Sequence, residues 1–212
     1  WDQEWQRDAP YPAVYGFQPG DEIDIAYPSI VKADPDPVDI SDEDYLKRAI
    51  EGFDLVICAV PGFLGFRTLK SIIEAGVNVI DISFFPENAL DLNDLAIKNK
   101  VTAVVDMGVA PGLDNLILGH HNASMKIDSF ECLVGGLPME PGTYKAPFSP
   151  ADVIQEYIRP ARLIEGGKIV VKRALSEPEI IHSPRGDLEA FNTDGLRSLL
   201  FTMGHIPHMR EK

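Results

Sequence analysis

The sequence predicts an α/β protein, a partial doubly wound parallel sheet followed by a smaller α+β domain, on three observations. Short apolar runs at 54–61, 77–83 and 101–107 alternate with amphipathic stretches of about twelve residues. Gly or Pro closes most of these segments, as at Pro61, Gly76, Gly108 and Pro111. From about residue 127 the pattern changes to alternating, half-exposed strands with frequent Pro and Gly.

The first 38 residues are rich in Pro and Asp and show no useful periodicity beyond a strand-like hint at 22–26. A helix is expected from 41 to 52, with Ser41 as cap and Asp42, Glu43 and Asp44 favouring its positive end. The run "DLVICAVP" at 54–61 reads as a strand buried on both faces. A helix over 64–75, strand 77–83, helix 87–99 and strand 101–107 follow. This alternation implies right-handed crossovers and a parallel sheet with helices on both faces. "VDMGVAPGLDNLILGHH", 105–121, then passes from strand through Gly108, Pro111 and Gly112 into a helix ending near His121. Beyond it "IDSFECLVGGLP" alternates like a half-exposed strand, and short helices are expected at 150–158 and 193–202. Ser149 before Pro150 reads as a helix cap, and Thr193 or Asp194 as another. The reading places the domains at 1–122 and 123–212.

Composition excludes several classes. The 212 residues carry a net charge of −14, and the first 60 hold 4 basic against 14 acidic residues, so nucleic acid and anionic membrane surfaces are poor partners. Cys58 and Cys132 lack CxxC or His spacing, which argues against a disulfide framework or a zinc site and for reduced thiols in the cytoplasm. The five His residues lack metal-ligand spacing, and no metal is expected. No apolar run approaches the roughly 20 residues of a membrane span, and the first residues lack the pattern of a signal peptide.

Ligands of open parallel sheets bind beyond the carboxyl ends of the strands. That draws attention to Ala59, Val60, Pro61 and Gly62, to Ser83, Phe84 and Phe85, and to residues 106–112. Small residues there admit a ligand close to backbone, although Gly and Pro also punctuate ordinary turns. Neither GxGxxG nor GxxxxGK[ST] occurs in the chain. In the second domain "YKAPFSPADV" and "FNTDGLR" concentrate polar groups. Tyr144, Lys145 and Arg197 read equally well as binding or as structural residues, since Arg and Lys aimed at a cleft can hold a carboxylate or carry protons.

"DLVICAVPGF", "VIDISFF", "VTAVVDMGVAPGLDNLILGH", "VGGLP", "YKAPFSP" and "LEAFNTDGLR" occur in this order over 38–212. The ordered set resembles the saccharopine dehydrogenase family, in particular its lysine 6-dehydrogenase and saccharopine reductase branch. The resemblance implies a Rossmann-like cofactor domain with NAD or NADP as cofactor. It implies oxidation of the C–N bond of a lysine-type amino acid to an imine that water hydrolyses to a semialdehyde. By the same likeness Ala59, Val60, Pro61 and Ser83 would meet the cofactor, together with Asp106, Gly108, Val109 and Ala110. Tyr144, Asn192, Thr193 and Arg197 would face the substrate, Lys145, Asp152 or Asp194 would carry the proton, and the protein would be a homodimer through the second domain's sheet. The family's opening strand and Gly-rich fingerprint have no counterpart in "WDQEWQRDAPYPAVYGFQPG", and relatives continue beyond "MREK". The expectation is a partial record of a longer enzyme; the competing reading is a non-catalytic scaffold or ligand sensor that has lost the cofactor.

Overall fold

The computed structural model describes residues 40–136, 146, 148–184 and 186–212, all within the compact unit Val38–Lys212. The strand expected at 22–26, and Tyr144 and Lys145, lie outside the described residues.

Helix α1, Glu43–Ala49, opens the described chain. Asp42 caps it rather than Ser41, its carboxylate accepting the Tyr45 N–H at 3.0 Å. Three parallel strands follow, β1 Leu55–Cys58, β2 Asn78–Asp81 and β3 Ala103–Val104, hydrogen-bonded in the order β1-β2-β3. The register pairs Val56 with Val79, Cys58 with Asp81 and Val79 with Ala103. The connections are α2, Gly62–Glu74, and a 3-10 turn, Ala89–Leu92, leading into α3, Asn93–Asn99. Asn88 opens that turn by accepting the Leu90 N–H.

Leu69, Ile72 and Ile73 stand at i, i+3 and i+4 on α2, the spacing of one helix face, and are at most 1% exposed. They pack with Leu46 and Ile50 of α1, Cys58, Val79 and Phe85 into one apolar core. Full burial of such a side chain is worth about 1.5–3 kcal/mol. Among the described residues the helices cover one face of this sheet. The other face carries Leu55, Ile57 and Val104, all exposed, so β1 alternates where its continuous apolar run suggested burial on both sides.

A second sheet has the order β4-β9-β5-β6, built from β4 Phe130–Cys132, β5 Ala161–Glu165, β6 Lys168–Lys172 and β9 His208–Glu211. β4 and β9 run parallel, while β5 is antiparallel to both β6 and β9. A separate hairpin pairs β7, Glu179–Ser183, with β8, Gly186–Ala190. Leu118 of α4, Leu113–Asn122, joins Ile164, Leu196, Leu199, Leu200, Ile206 and Met209 in a second core. Helix α5, Pro150–Ile158, has the expected bounds, with Ser149 at the cap position but making no side-chain cap bond. Helix α6 is shorter than expected, Leu199–Thr202, because Arg197 sits at φ +40°, outside helical backbone. Asp194 and Thr193 bind Arg162 and Glu211, and neither caps it.

Gly112 answers why a glycine stands where α4 begins. Its φ is +148°, and a Cβ there would strike the backbone of Gly108, whose N–H donates to Pro111 O at 2.9 Å and whose carbonyl accepts from Leu113 N at 3.0 Å. Gly112→Ala is therefore expected to cost about 2 kcal/mol or more by combining a disfavoured φ with a backbone collision. Chemical denaturation checks this, and an unchanged midpoint would contradict the geometry.

Candidate cofactor and substrate site

The loops that follow β1, β2 and β3 lie along the carboxyl edge of the parallel sheet. After β1, Ala59, Val60 and Pro61 are half-buried. After β2, Ser83 and Phe85 are buried and Phe84 is half-buried. After β3, Asp106 is buried at φ +54°, while Gly108 and Val109 are exposed and Ala110 is half-buried.

Each loop is held by a charged side chain from the mixed-sheet half. At the first, the Gly62 N–H donates to both carboxylate oxygens of Asp152 on α5, at 3.0 Å each. At the second, Arg159 donates through Nη2 to Phe84 O at 3.2 Å and lies 4.4 Å from the Phe84 ring centre. Arg197 also donates through Nη1 to Phe85 O and lies over the Phe85 ring at 4.7 Å. At the third, Arg197 Nε donates to Asp106 Oδ1 at 2.6 Å, and the Ser198 N–H donates to Asp106 Oδ2 at 3.0 Å. Arg162 completes the group by donating to both oxygens of Asp194 at 2.8 Å.

The neighbouring charges act on one another. Burial pulls the Arg159 guanidinium below its ordinary pKa, while Asp194 and Asp152 oppose that and Arg197 and Arg162 reinforce it. Arg162 is raised, first by its hydrogen bond to Asp194. Beneath them the Asp81 carboxyl, at the end of β2, is pushed up to about 6, mainly by burial. It accepts the Ser83 N–H at 2.9 Å and the Ser83 hydroxyl at 3.1 Å, and the same hydroxyl lies 3.7 Å from the Cys58 thiol.

Among the residues predicted from sequence, the structure brings Asp106 into direct contact with Arg197. It sets Asp152 against Gly62 and Asp194 against Arg162. Asn192 and Thr193 make their bonds elsewhere. Asn192 Nδ2 donates to Ser176 Oγ at 3.3 Å and Glu177 Oε2 at 3.1 Å, and Thr193 Oγ1 donates to Glu211 Oε1 at 3.4 Å. Sequence reasoning passed over Arg159, Arg162, Asp81 and Glu211. The signal was present in "RPAR", two guanidiniums flanking a strand start, and in the lone carboxyl of the apolar run "VNVIDIS". Glu211 is 4% exposed and its carboxyl is pushed up to about 8, chiefly by burial, with Asp114 and Glu156 adding repulsion. Among the described residues no group of three or more His, Cys, Asp or Glu is placed to hold a metal ion. No described helix is long and apolar enough to cross a membrane.

A parallel sheet whose ligand edge is closed over by charged side chains of a second, mixed-sheet half defines a two-part α/β protein of the dinucleotide-binding class. Residues 22–104 match the family model "Saccharopine dehydrogenase NADP binding domain", and residues 108–208 match "Saccharopine dehydrogenase C-terminal domain". The chain belongs to the saccharopine dehydrogenase family. It is 32% identical over 143 residues to the saccharopine dehydrogenase [NADP(+), L-glutamate-forming] of Schizosaccharomyces pombe, a match covering 63% of this chain and 32% of that protein. It is 29% identical over 138 residues to the mitochondrial alpha-aminoadipic semialdehyde synthase of Rattus norvegicus, covering 60% of this chain and 15% of the relative. The chain thus spans a third or less of these relatives. The fold is shared with apo saccharopine dehydrogenase (L-Glu forming) from Saccharomyces cerevisiae, at a TM-score of 0.54 and 20% identity over 82% of this chain and 43% of that one.

Two outcomes follow from the site's electrostatics. Removing one partner of the Asp106–Arg197 pair, as in Arg197→Met, strands a buried charge and is expected to cost about 3–5 kcal/mol. The double variant Asp106→Leu/Arg197→Met should lose clearly less than the sum of the single losses in a denaturation cycle, and additive losses would refute the coupling. Glu211 holds its proton more tightly folded than unfolded, so its contribution to stability is present below the ordinary value of 4.5 and is lost as pH rises towards about 8. Stability should fall between pH 5 and pH 8, and Glu211→Gln should flatten that fall. An identical pH dependence in the variant would show that Glu211 is not its source.

Proposed function

We propose that the intact protein is an NADP-dependent oxidoreductase of lysine metabolism that acts on the C–N bond of a saccharopine-like amino acid. The observation that carries this reading is the carboxyl edge of the β1-β2-β3 sheet, which lies in and beside the segment matching the NADP-binding family model and is closed by the side chains of the second half. The names of the fungal and mammalian relatives support the substrate class, and the fungal name and the matched family model favour NADP over NAD.

The residues present suit such a cofactor. Half-exposed Ala59, Val60, Pro61 and Ala110, with exposed Gly108 and Val109, form a rim of small apolar side chains and backbone against which a flat ring can rest. NADP, when bound, supplies the hydride acceptor. The protein's own part is to hold this rim through Asp106 and Arg197, to orient the substrate and to take the proton released from its amine. Arg159 Nη1 is buried without a hydrogen-bond partner, a condition that a substrate carboxylate oxygen would relieve. Asp152 and Asp194 are engaged with Gly62 and Arg162, which favours Lys145 as the proton carrier. Tyr144, Asn192 and Thr193 remain assigned to the substrate side on the strength of the resemblance. In this scheme the substrate C–H leaves as hydride and the N–H as a proton. The resulting imine takes up water and separates into an amino acid and a semialdehyde.

The same reading assigns 1–122 to the cofactor and 123–212 to the substrate, with α4 connecting the two. It includes a homodimer through the second sheet, which exposed Ile169 and Val171 on edge strand β6 favour. It also includes a cytoplasmic location, which two free thiols favour. Intact protein mixed with saccharopine should reduce NADP+, followed by nicotinamide absorbance, and should do so at least tenfold faster than with NAD+. No turnover with saccharopine or lysine and either cofactor would overturn the proposal.

A further inference from the structure

Helix α2 begins at the rim without a cap of its own. Pro61 occupies its cap position, no acidic residue lies in its first turn, and the helix runs for 13 residues. Its first N–H, that of Gly62, is buried and would be an orphan donor but for Asp152. That carboxylate comes from 90 residues away, is 5% exposed and takes the N–H with both oxygens.

The neighbourhood is built around this contact. A Cβ on Gly62 would strike Phe84 O and come within 2.7 Å of Asp152 Oδ1, so only glycine lets the carboxylate approach. Asp152 stands in the first turn of α5, where a carboxylate ordinarily serves its own helix. It serves the neighbouring helix instead, and Ser149 at the α5 cap position makes no side-chain cap bond.

We infer that Asp152 is a positioning residue for the cofactor rim: it caps α2 from the substrate half and thereby sets the Val60–Pro61–Gly62 turn of the rim proposed to receive NADP. The inference rests on the NADP reading above. It replaces the proton-carrying role that the family likeness suggests for Asp152 with a mechanical one, and it makes cofactor affinity depend on a residue of the other half of the molecule.

The test compares wild type, Asp152→Asn and Asp152→Ala of the intact protein, measuring NADPH affinity by nicotinamide fluorescence together with kcat, KM and their pH profiles. Loss of a buried cap should weaken NADPH binding about tenfold in Asp152→Ala while the pH profile of kcat keeps both limbs. Asp152→Asn, whose amide oxygen still accepts from Gly62, should bind NADPH within about threefold of wild type and retain most of kcat. If both variants bind NADPH as wild type does but lose one limb of the profile and most of kcat, Asp152 carries the proton and the inference is wrong. Unchanged affinity and unchanged kcat in both variants would also overturn it, leaving the NADP reading intact. Failure of the wild type itself to bind NADPH would bring down both.

Discussion

The structure depends first on one buried ion pair. Asp106 and Arg197 are each 4% exposed, and each holds its backbone in the left-handed region, at φ +54° and +40°. Non-glycine residues in such conformations store strain of the order of 1–3 kcal/mol each, and two desolvated charges cost several more. The pair persists because its remaining hydrogen-bonding capacity is used. The carboxylate accepts from a guanidinium and from the Ser198 N–H, and the guanidinium also meets Phe85 O and the faces of Phe84 and Phe85. Its place in the fold explains its importance. Phe85 belongs to the first apolar core, and Leu196 and Leu199, which flank Arg197, belong to the second. One side chain therefore touches a member of the first core and stands in the chain between members of the second.

Around that pair the charges alternate. Arg159, Arg162 and Arg197 stand within interaction range of Asp106, Asp152, Asp194 and Asp81, so three guanidiniums offset most of the charge of four carboxyls here. The balance has a chemical use in the proposed reaction, because a substrate carrying carboxylates needs cationic groups whose own anionic partners keep them in place. Arg162, bound in both of its contacts to Asp194, is a fixed charge, whereas Arg159 retains a donor.

Much of this architecture was legible in the sequence, and the parts that were not share a cause. Local signals located the three parallel strands, α2 and the bounds of α5, because apolar period and Gly or Pro punctuation act within a dozen residues. β3 shrank to two residues and α6 to four because pairing register and the strained backbone at Arg197 overrode pattern. Ser41 and Asp42 are both good caps, and only backbone geometry chose Asp42. For the site, sequence pointed to the residue types and to the loops, but not to who meets whom. Asp106 and Arg197 lie 91 residues apart, and Gly62 and Asp152 lie 90 apart. Arg159 and Arg162 were overlooked since they flank Pro160 at the start of β5, where no periodicity marks them.

The three tethers have a mechanical consequence. Three attachments spread along one sheet edge share a load that a single attachment would carry alone. Gly62, the Phe84–Phe85 segment and Asp106 follow three different strands, and each is gripped by a side chain from the same mixed-sheet half. Parting the two halves along this edge breaks all three contacts, and the loss of any one leaves two that still hold the edge in register.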